Sequence, residues 1–490
     1  MAFSWKVVHG GRTPPPGEVV RPDERLSWGR TVGIGAQHVV AMFGATFVFP
    51  LIMGLDPNLA IMMSGIATIL FLLITQDRVP SYLGTSASFV GGVIAIRAMS
   101  GSSNGLVTGS ILVAGVVLAI IGVLINFLGV GIIHRVFPPA VTGGVVMLIG
   151  FGLAYVVADI YWPQDHWVAL VTMTAVFLMT VLLRGFWSRI AILIGLVFGF
   201  VLSWILDKTA GDITAFNAGA GKVDTHARVN FDSVKSADWF GLPDFTAPHF
   251  KFSAIVLVLP AVIALIAENT GHVKAVGAMT RTDLDPMIGR AIFADGVGTV
   301  VATSVGGSPT TTYAENIGVM AATRIYSTAA YYVAGIVAIL FGLIPKFGAL
   351  VAATPGGVLG GITVVLYGMI GLLGAKIWVE NRVDFANPIN LVPIGAGIIL
   401  AIGPVSHQVT HDFTLAGIAL GTIVLLGGYH LLRWLAPPYM RDALVAGAPF
   451  DESAAGAAAG GPYRSDGGTV DDRAAPLSPR HGQDAPEPRQ

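Results

Sequence analysis

GGSPTTTYAENIG, residues 306–318, sits between two apolar segments of a chain in which 54% of residues are hydrophobic and only 12% are charged. Pro309 has no backbone N–H to give a helix, and the β-branched run Thr310, Thr311, Thr312 favours extended backbone. The stretch is therefore expected to be extended first and helical second. VPSYLGTSASFVGG, residues 79–92, has the same grammar: Pro and Gly punctuation, small and β-branched residues, then an apolar helix. Irregular backbone at bilayer depth is tolerated only where protein buries it or where it lines a cavity. Two such interrupted segments would aim the free N–H groups of their half-helices at one place near the membrane midplane, ready to donate to carbonyl oxygens of a ligand.

The rest of the chain supplies that bilayer. Over 490 residues the mean hydropathy is +0.73, and many apolar runs are long enough to cross a membrane. The net charge of −1 argues against a nucleic-acid partner. The lack of cysteine excludes disulfides, thiolate metal sites and thiol nucleophiles. Residues 1–30 are a polar arm that does not read as a signal peptide, so the first span is expected to act as its own insertion signal.

Apolar segments fall near 31–53, 58–75, 81–96, 107–131, 138–158, 167–183 and 190–206, then near 253–275, 287–303, 308–323, 328–345, 355–373, 388–405 and 413–434. The reading is an all-α polytopic membrane protein of fourteen spans, with short extended stretches in the third and tenth. Its divisions are an arm (1–30), a seven-span unit (31–206), a polar loop (207–252), a second seven-span unit (253–436) and a tail (437–490) expected to be disordered. Loop charges agree with this count. With the N-terminus inside, the inner loops carry Arg78, Arg135, Arg184, Arg189, Lys274, Arg281, Arg290, Arg324, Lys376 and Arg382, whereas the short outer loops hold Arg97 and Lys346. Both termini are then cytoplasmic.

FPPAVTGGVVMLIGFGL from Phe137 recurs as TPGGVLGGITVVLYGMIGL from Thr354, pairing Pro138 with Pro355 and Gly143–Gly144 with Gly360–Gly361. These are the fifth spans of the two units. Because seven is odd, the units must lie upside down relative to each other, the inverted-repeat plan of secondary transporters.

Two carboxylates stand out. Glu315 falls in the first turn of the second half-helix, and Glu268 follows the apolar run 255–267. A carboxylate at that depth costs at least ~2.5 kcal/mol, so it is expected to face a cavity and accept hydrogen bonds from a ligand, unless it serves a structural partner. His272 lies four residues after Glu268 on the same helix face, where it either couples to that carboxylate's proton or caps helix-end carbonyls. Tyr313 either walls the site or packs. Asp295 belongs either to a proton route or to a helix cap, and Gln37 and His38 either hydrogen-bond across the bundle or accompany close packing. Glu-x-x-x-His is no metalloprotease signature, and no nucleophile with an oriented base is visible, so neither an enzyme nor a cofactor or metal site is expected.

QHVVAMFGATFVFP in the first span, VPSYLGTS in the third, AENTGH in the eighth and TTYAENIGVMAATRIYS in the tenth together resemble the nucleobase-ascorbate transporter family, most closely its bacterial uracil permease branch. The resemblance runs from about Thr31 to Trp434, and Glu315-Asn316-x-Gly318 followed by Thr323-Arg324 fits the family signature position by position. It implies a core domain (spans one to four and eight to eleven) and a gate domain (five to seven and twelve to fourteen). It also implies proton-coupled uptake across the plasma (inner) membrane by a homodimer. By the family pattern Glu268 and Glu315 bind the base, His272 serves proton coupling, Tyr313 and Ala314 lie at the site, and Ala45 packs against the ligand. Ala87, Ser88 and Phe89 form the third-span part of the site, with Ala87 where uracil permeases commonly carry an aromatic residue. Asp295 is the residue of purine-type relatives, whereas Glu315 stands where many of those have Gln.

Uracil alternates N–H donors with carbonyl acceptors, so two carboxylates and the half-helix N–H groups complement its edge. A uracil:proton symporter is the leading expectation. A xanthine or broader nucleobase symporter follows, and an anion transporter of the same plan is remote because paired acids disfavour an anion.

Overall fold

Proline, glycine and short polar residues set where the helices begin and end. The computed structural model describes residues 4–15, 18–129, 131–217, 221–403, 405–410 and 413–441, with the side chains of 43, 45, 132–134, 186, 189, 410 and 413 left aside. The expected disordered tail lies outside these residues except at its start.

In the first half, α1 (Trp28–Met53) stops at Gly54, whose φ of 67° suits a residue without a Cβ. α2 (Pro57–Ile74) starts with proline in its first turn and the Asp56 carboxylate accepting from the Asn58 N–H. Then come β1 (Leu83–Thr85), α3 (Val90–Arg97), α4 (Asn104–Leu128), α5 (Pro139–Phe151), α6 (His166–Leu182) and α7 (Ala191–Thr209). The second half opens with α8 (Phe252–Val258) and α9 (Pro260–Thr280), followed by α10 (Ile288–Ser304), β2 (Thr310–Thr312) and α11 (Ala314–Thr323). It closes with α12 (Thr328–Gly342), α13 (Pro345–Ala352), α14 (Gly356–Glu380), α15 (Pro388–Ile402) and α16 (Gly417–Leu435).

Among the described residues eight helical stretches are long and apolar enough to cross a membrane, or nine if α12 and α13, bent by 81°, count as one. The bend falls at Pro345, where a helix cannot continue unbroken. The apolar segment expected from residue 413 begins instead as a strand: Phe413–Ala416 pairs antiparallel with Ser406–Thr410, and the helix starts at Gly417.

Two helix groups form. α10 packs on α4 and α2, and α12 packs on α2 and α1; in the other group α5 packs on α14, α15 and α16, and α6 joins α7 and α14. Small residues permit the closest crossings. A Cβ on Gly289 would meet the backbone of Asn126 at 2.7 Å, so α4 and α10 touch main chain to main chain. The 207–252 loop ties one group to the other. Its hairpin, Ile213–Asn217 with Lys222–His226, precedes Arg228, which bridges Asp165 at 2.8 Å and Asp207 at 3.2 Å. Farther on, the Thr246 and His249 N–H groups donate to the carbonyls of Val305 (3.0 Å) and Gly105 (2.7 Å).

The N-terminal arm is ordered where described. Lys6–Val7 pairs in parallel with Glu24–Arg25, and Val20 makes a strand-like bridge to Ile325 just beyond α11. Val20 and Leu26 bury against Ile325, so apolar contact holds the arm to the helix ends.

Candidate functional site

The two interrupted segments meet. β1 and β2 run antiparallel, with Leu83 opposite Thr312, Gly84 opposite Thr311 and Thr85 opposite Thr310. The Ser86 N–H donates to the Pro309 carbonyl (2.9 Å) and the Tyr313 N–H to the Tyr82 carbonyl (3.1 Å), extending the ladder at both ends. A two-stranded ribbon leaves one edge of each strand unpaired, and such an edge is costly away from water. Threonines supply the missing partners. The Thr68 hydroxyl on α2 accepts the Leu83 N–H (2.9 Å) and donates to its carbonyl (3.4 Å). The Thr299 hydroxyl on α10 does the same for the Thr310 N–H and carbonyl, both at 3.1 Å.

Tyr313 is 5% exposed, and its hydroxyl donates to the Thr85 carbonyl at 2.6 Å and accepts from Thr46 at 3.3 Å. It thus ties the second segment to the first and to α1. Space there is tight, since a Cβ on Gly84 would come within 2.6 Å of both the Thr46 hydroxyl and the Tyr313 ring. Gly84→Ala is expected to lower stability by about 1–3 kcal/mol, as overpacking does. A lower thermal midpoint of the purified protein is the check, and an unchanged midpoint would show that the crossing yields.

Most of the crossing is buried, but Ala87, Ser88 and Glu315 are half-buried and Ala314 is exposed. On α9, which packs against both the Ala87–Phe89 turn and α11, Glu268 and His272 are also half-buried. Glu268 lies within electrostatic reach of Glu315 and Asp295. Its carboxylate accepts from the Thr311 hydroxyl (3.4 Å). Phe89, 1% exposed, packs into the core behind this opening. Ala45 lies on α1, but its side chain falls outside the described residues.

His272 bonds Thr312 rather than Glu268: its Nδ1 is 2.8 Å from the Thr312 hydroxyl. That hydroxyl donates to the Asn269 side-chain oxygen (3.2 Å), and the Asn269 amide donates to Asp295 (2.6 Å). A continuous polar chain therefore runs from half-buried His272 to fully buried Asp295. On the other side, the Asn316 amide donates to the His38 carbonyl (3.0 Å) and meets His38 Nδ1 at 3.1 Å, linking α11 to α1 across the bundle. Among the described residues no three His, Asp or Glu side chains gather to hold a metal ion.

Thr68, Thr299 and Asn269 were not singled out from the sequence, and Thr311, Thr312 and Asn316 were read there only for extended backbone and the family signature, not for these bonds. For the asparagines a signal exists: Ala-Glu-Asn occurs at 267–269 and again at 314–316. Adjacent helical residues point about 100° apart, so each glutamate faces the opening while the asparagine behind it, 0% exposed, ties its helix to a neighbour.

Apolar helices in this number, closed around two crossing interrupted segments with half-buried acids beside them on α9 and α11, define a multi-pass membrane transporter fold. Solved structures agree on the fold. The transmembrane domain of the cyanobacterial bicarbonate transporter BicA matches with a TM-score of 0.54 at 14% identity, over 84% of this chain and 100% of that one. The murine anion transporter Slc26a9 matches with 0.60 at 11% identity, over 83% and 68%.

Residues 29–410 match the model of the xanthine/uracil Permease family, and the chain belongs to that family, the nucleobase-ascorbate transporters. A putative pyrimidine permease, RutG of Escherichia coli K12, is 44% identical over 410 residues, 82% of this chain and 90% of that protein. The uracil permeases of Bacillus caldolyticus and E. coli K12 are each 34% identical, over 82% and 81% of this chain and 91% and 90% of their own lengths. These relatives are permeases, not enzymes.

Proposed function

We propose that the protein is a proton-coupled nucleobase symporter that takes up uracil by alternating access. The observation that carries this reading is the pairing of half-buried Glu268 and Glu315, on α9 and α11 of the second half of the chain, beside the crossing of the two interrupted segments. Carboxylates accept from ring N–H groups, and the N–H groups of the half-helices donate to ring carbonyls. Ala87, Ser88 and Ala314 shape the walls, with Phe89 and Tyr313 holding the crossing behind them. The names of the pyrimidine and uracil permease relatives support the same substrate class.

The symporter spans the plasma membrane fourteen times as two inverted repeats, 31–206 and 253–436, with both termini in the cytoplasm, and works as a homodimer. The antiparallel ribbon supports the inverted plan, as do the matched contacts of α4 with α10 and of α12 with α2, the same span pairs with the halves exchanged. The α1, α2, α4, α10 and α12 group belongs to the core domain, and the α5, α6, α7, α14, α15 and α16 group is the gate. His272 takes up and releases the coupled proton, the bonded chain through Thr312 and Asn269 ties its ring to Asp295, and Glu268 accepts from the base and takes up a proton during the cycle.

The test is proton-gradient-driven uptake of labelled uracil into proteoliposomes, competed with xanthine, hypoxanthine, thymine and sulfate. Competition by uracil and thymine alone supports the pyrimidine reading. Displacement by xanthine favours the broader nucleobase reading, and uptake that only sulfate competes sinks both. His272→Ala is expected to retain uracil binding while flattening the dependence of uptake on external pH, because it removes the titratable ring from the bonded chain. An unchanged pH profile would remove His272 from the proton route.

A further inference from the structure

A cavity of about 1520 Å³ opens where the N-terminal arm meets the α2–β1 turn, the loop after α9 and the end of α11. Among the described residues six non-glycine residues have left-handed backbone, with φ from 49° to 58°. Five of them, His9, Gln76, Asp77, Arg281 and Arg324, line this one cavity, and Arg382 does not. Left-handed backbone is disfavoured for any residue with a Cβ, and strain gathered at one place points to a site.

Arg281 and Arg324 occupy the positions just past α9 and α11, where glycine is the usual occupant. Their guanidiniums do not cap those helices: along with Arg78 and Arg21, they donate to no carbonyl and no carboxylate among the described residues. The carboxylates facing the same space are mostly engaged. Glu18 pairs with His9 (2.9 Å), and Glu24 accepts the Arg21 N–H (2.8 Å). Asp77 accepts from the Tyr332 hydroxyl (2.8 Å) and Asp283 from the Asp285 N–H (3.0 Å), which leaves Asp23 alone without a side-chain bond. Unmatched guanidinium forks from the arm and three separate turns thus face one space.

We propose that this cavity binds a phosphate-bearing anion through Arg78, Arg281 and Arg324, with Arg21 closing over it from the arm. Guanidinium forks fit phosphate oxygens two at a time, and since five carboxylates line the same cavity as the four arginines, it is fork geometry and not net charge that selects the anion. The anion is either a soluble phosphate compound or the headgroup of an acidic lipid. The inference does not depend on which substrate the transporter carries.

The test uses the full-length protein in nanodiscs. Its thermal midpoint is measured in phosphatidylcholine with inorganic phosphate titrated at constant ionic strength, and separately in phosphatidylcholine mixed with phosphatidylglycerol without phosphate. A midpoint that rises with phosphate identifies a soluble ligand, and one that rises only with phosphatidylglycerol identifies a headgroup. In either case R78Q, R281Q and R324Q are each expected to weaken the response roughly tenfold in anion concentration, the loss of one charge-assisted hydrogen bond. No rise in either arm, or an equal rise in the R78Q/R281Q/R324Q variant, overturns the proposal. R281G/R324G guards against simple misfolding. Relief of the left-handed strain should raise its midpoint without anion while the anion-dependent increment shrinks, and an undiminished increment would also overturn it.

Discussion

Glu268→Gln and Glu315→Gln are each expected to abolish saturable uracil uptake while leaving a folded protein of normal abundance. Both glutamates come from the second half of the chain, on α9 and α11; each is half-buried, and among the described residues neither side chain is held in an ion pair. A hydrogen bond to a charged group contributes about 1.5–3 kcal/mol, so loss of one carboxylate weakens binding on the order of 10- to 150-fold. Glutamine adds a second penalty, because its NH₂ turns a donor toward the donor edge of the base. It also has no titratable proton, so coupling fails even at saturating uracil. Binding to detergent-purified variants separates the two effects from folding. Normal uptake by either variant would remove that residue from the site, and normal binding without uptake would confine it to proton coupling.

Thr68→Val and Thr299→Val are expected to have the second largest effect. Each removes a hydroxyl that alone satisfies both the N–H and the C=O of one strand residue, Leu83 or Thr310. Valine keeps the shape and strands two buried backbone groups, at about 1–3 kcal/mol each. The thermal midpoint should fall for both variants and further for the pair, and uracil uptake should fall with it. Thr→Ser retains the hydroxyl and is expected to restore most of the loss. Valine variants as stable as the parent would mean that water or another group reaches the strand edge.

The interrupted spans were legible because Pro309 and the three threonines leave few alternatives, and β2 runs over Thr310–Thr312 with helix from Ala314. The acids were legible because charge at bilayer depth is rare. Partners were not. That His272 reaches Thr312 rather than the glutamate one turn away depends on where β2 crosses α9, and helical spacing carries no record of a strand from elsewhere. Tyr313 reads in sequence as either a wall of the site or a packing residue, and nothing there foretells that its hydroxyl donates to the Thr85 carbonyl, more than two hundred positions away. The arm reads as polar, and its scattered apolar residues, Val20 and Leu26 among them, have no periodicity that predicts docking. The strand at Phe413–Ala416 went unseen because an apolar run beside a helix reads the same in either state.

The ribbon between β1 and β2 also bears on how the chain is made. Thr85 leaves the ribosome about 220 residues before its partner Thr310, a delay of roughly 10–45 s at ordinary rates of bacterial synthesis. Throughout that interval the nascent third segment has no mate for its main chain, and hydrocarbon offers none. The insertion machinery must therefore shelter it in a wet or proteinaceous niche until the second half emerges, and a truncated first half released into lipid is destined for the quality-control proteases.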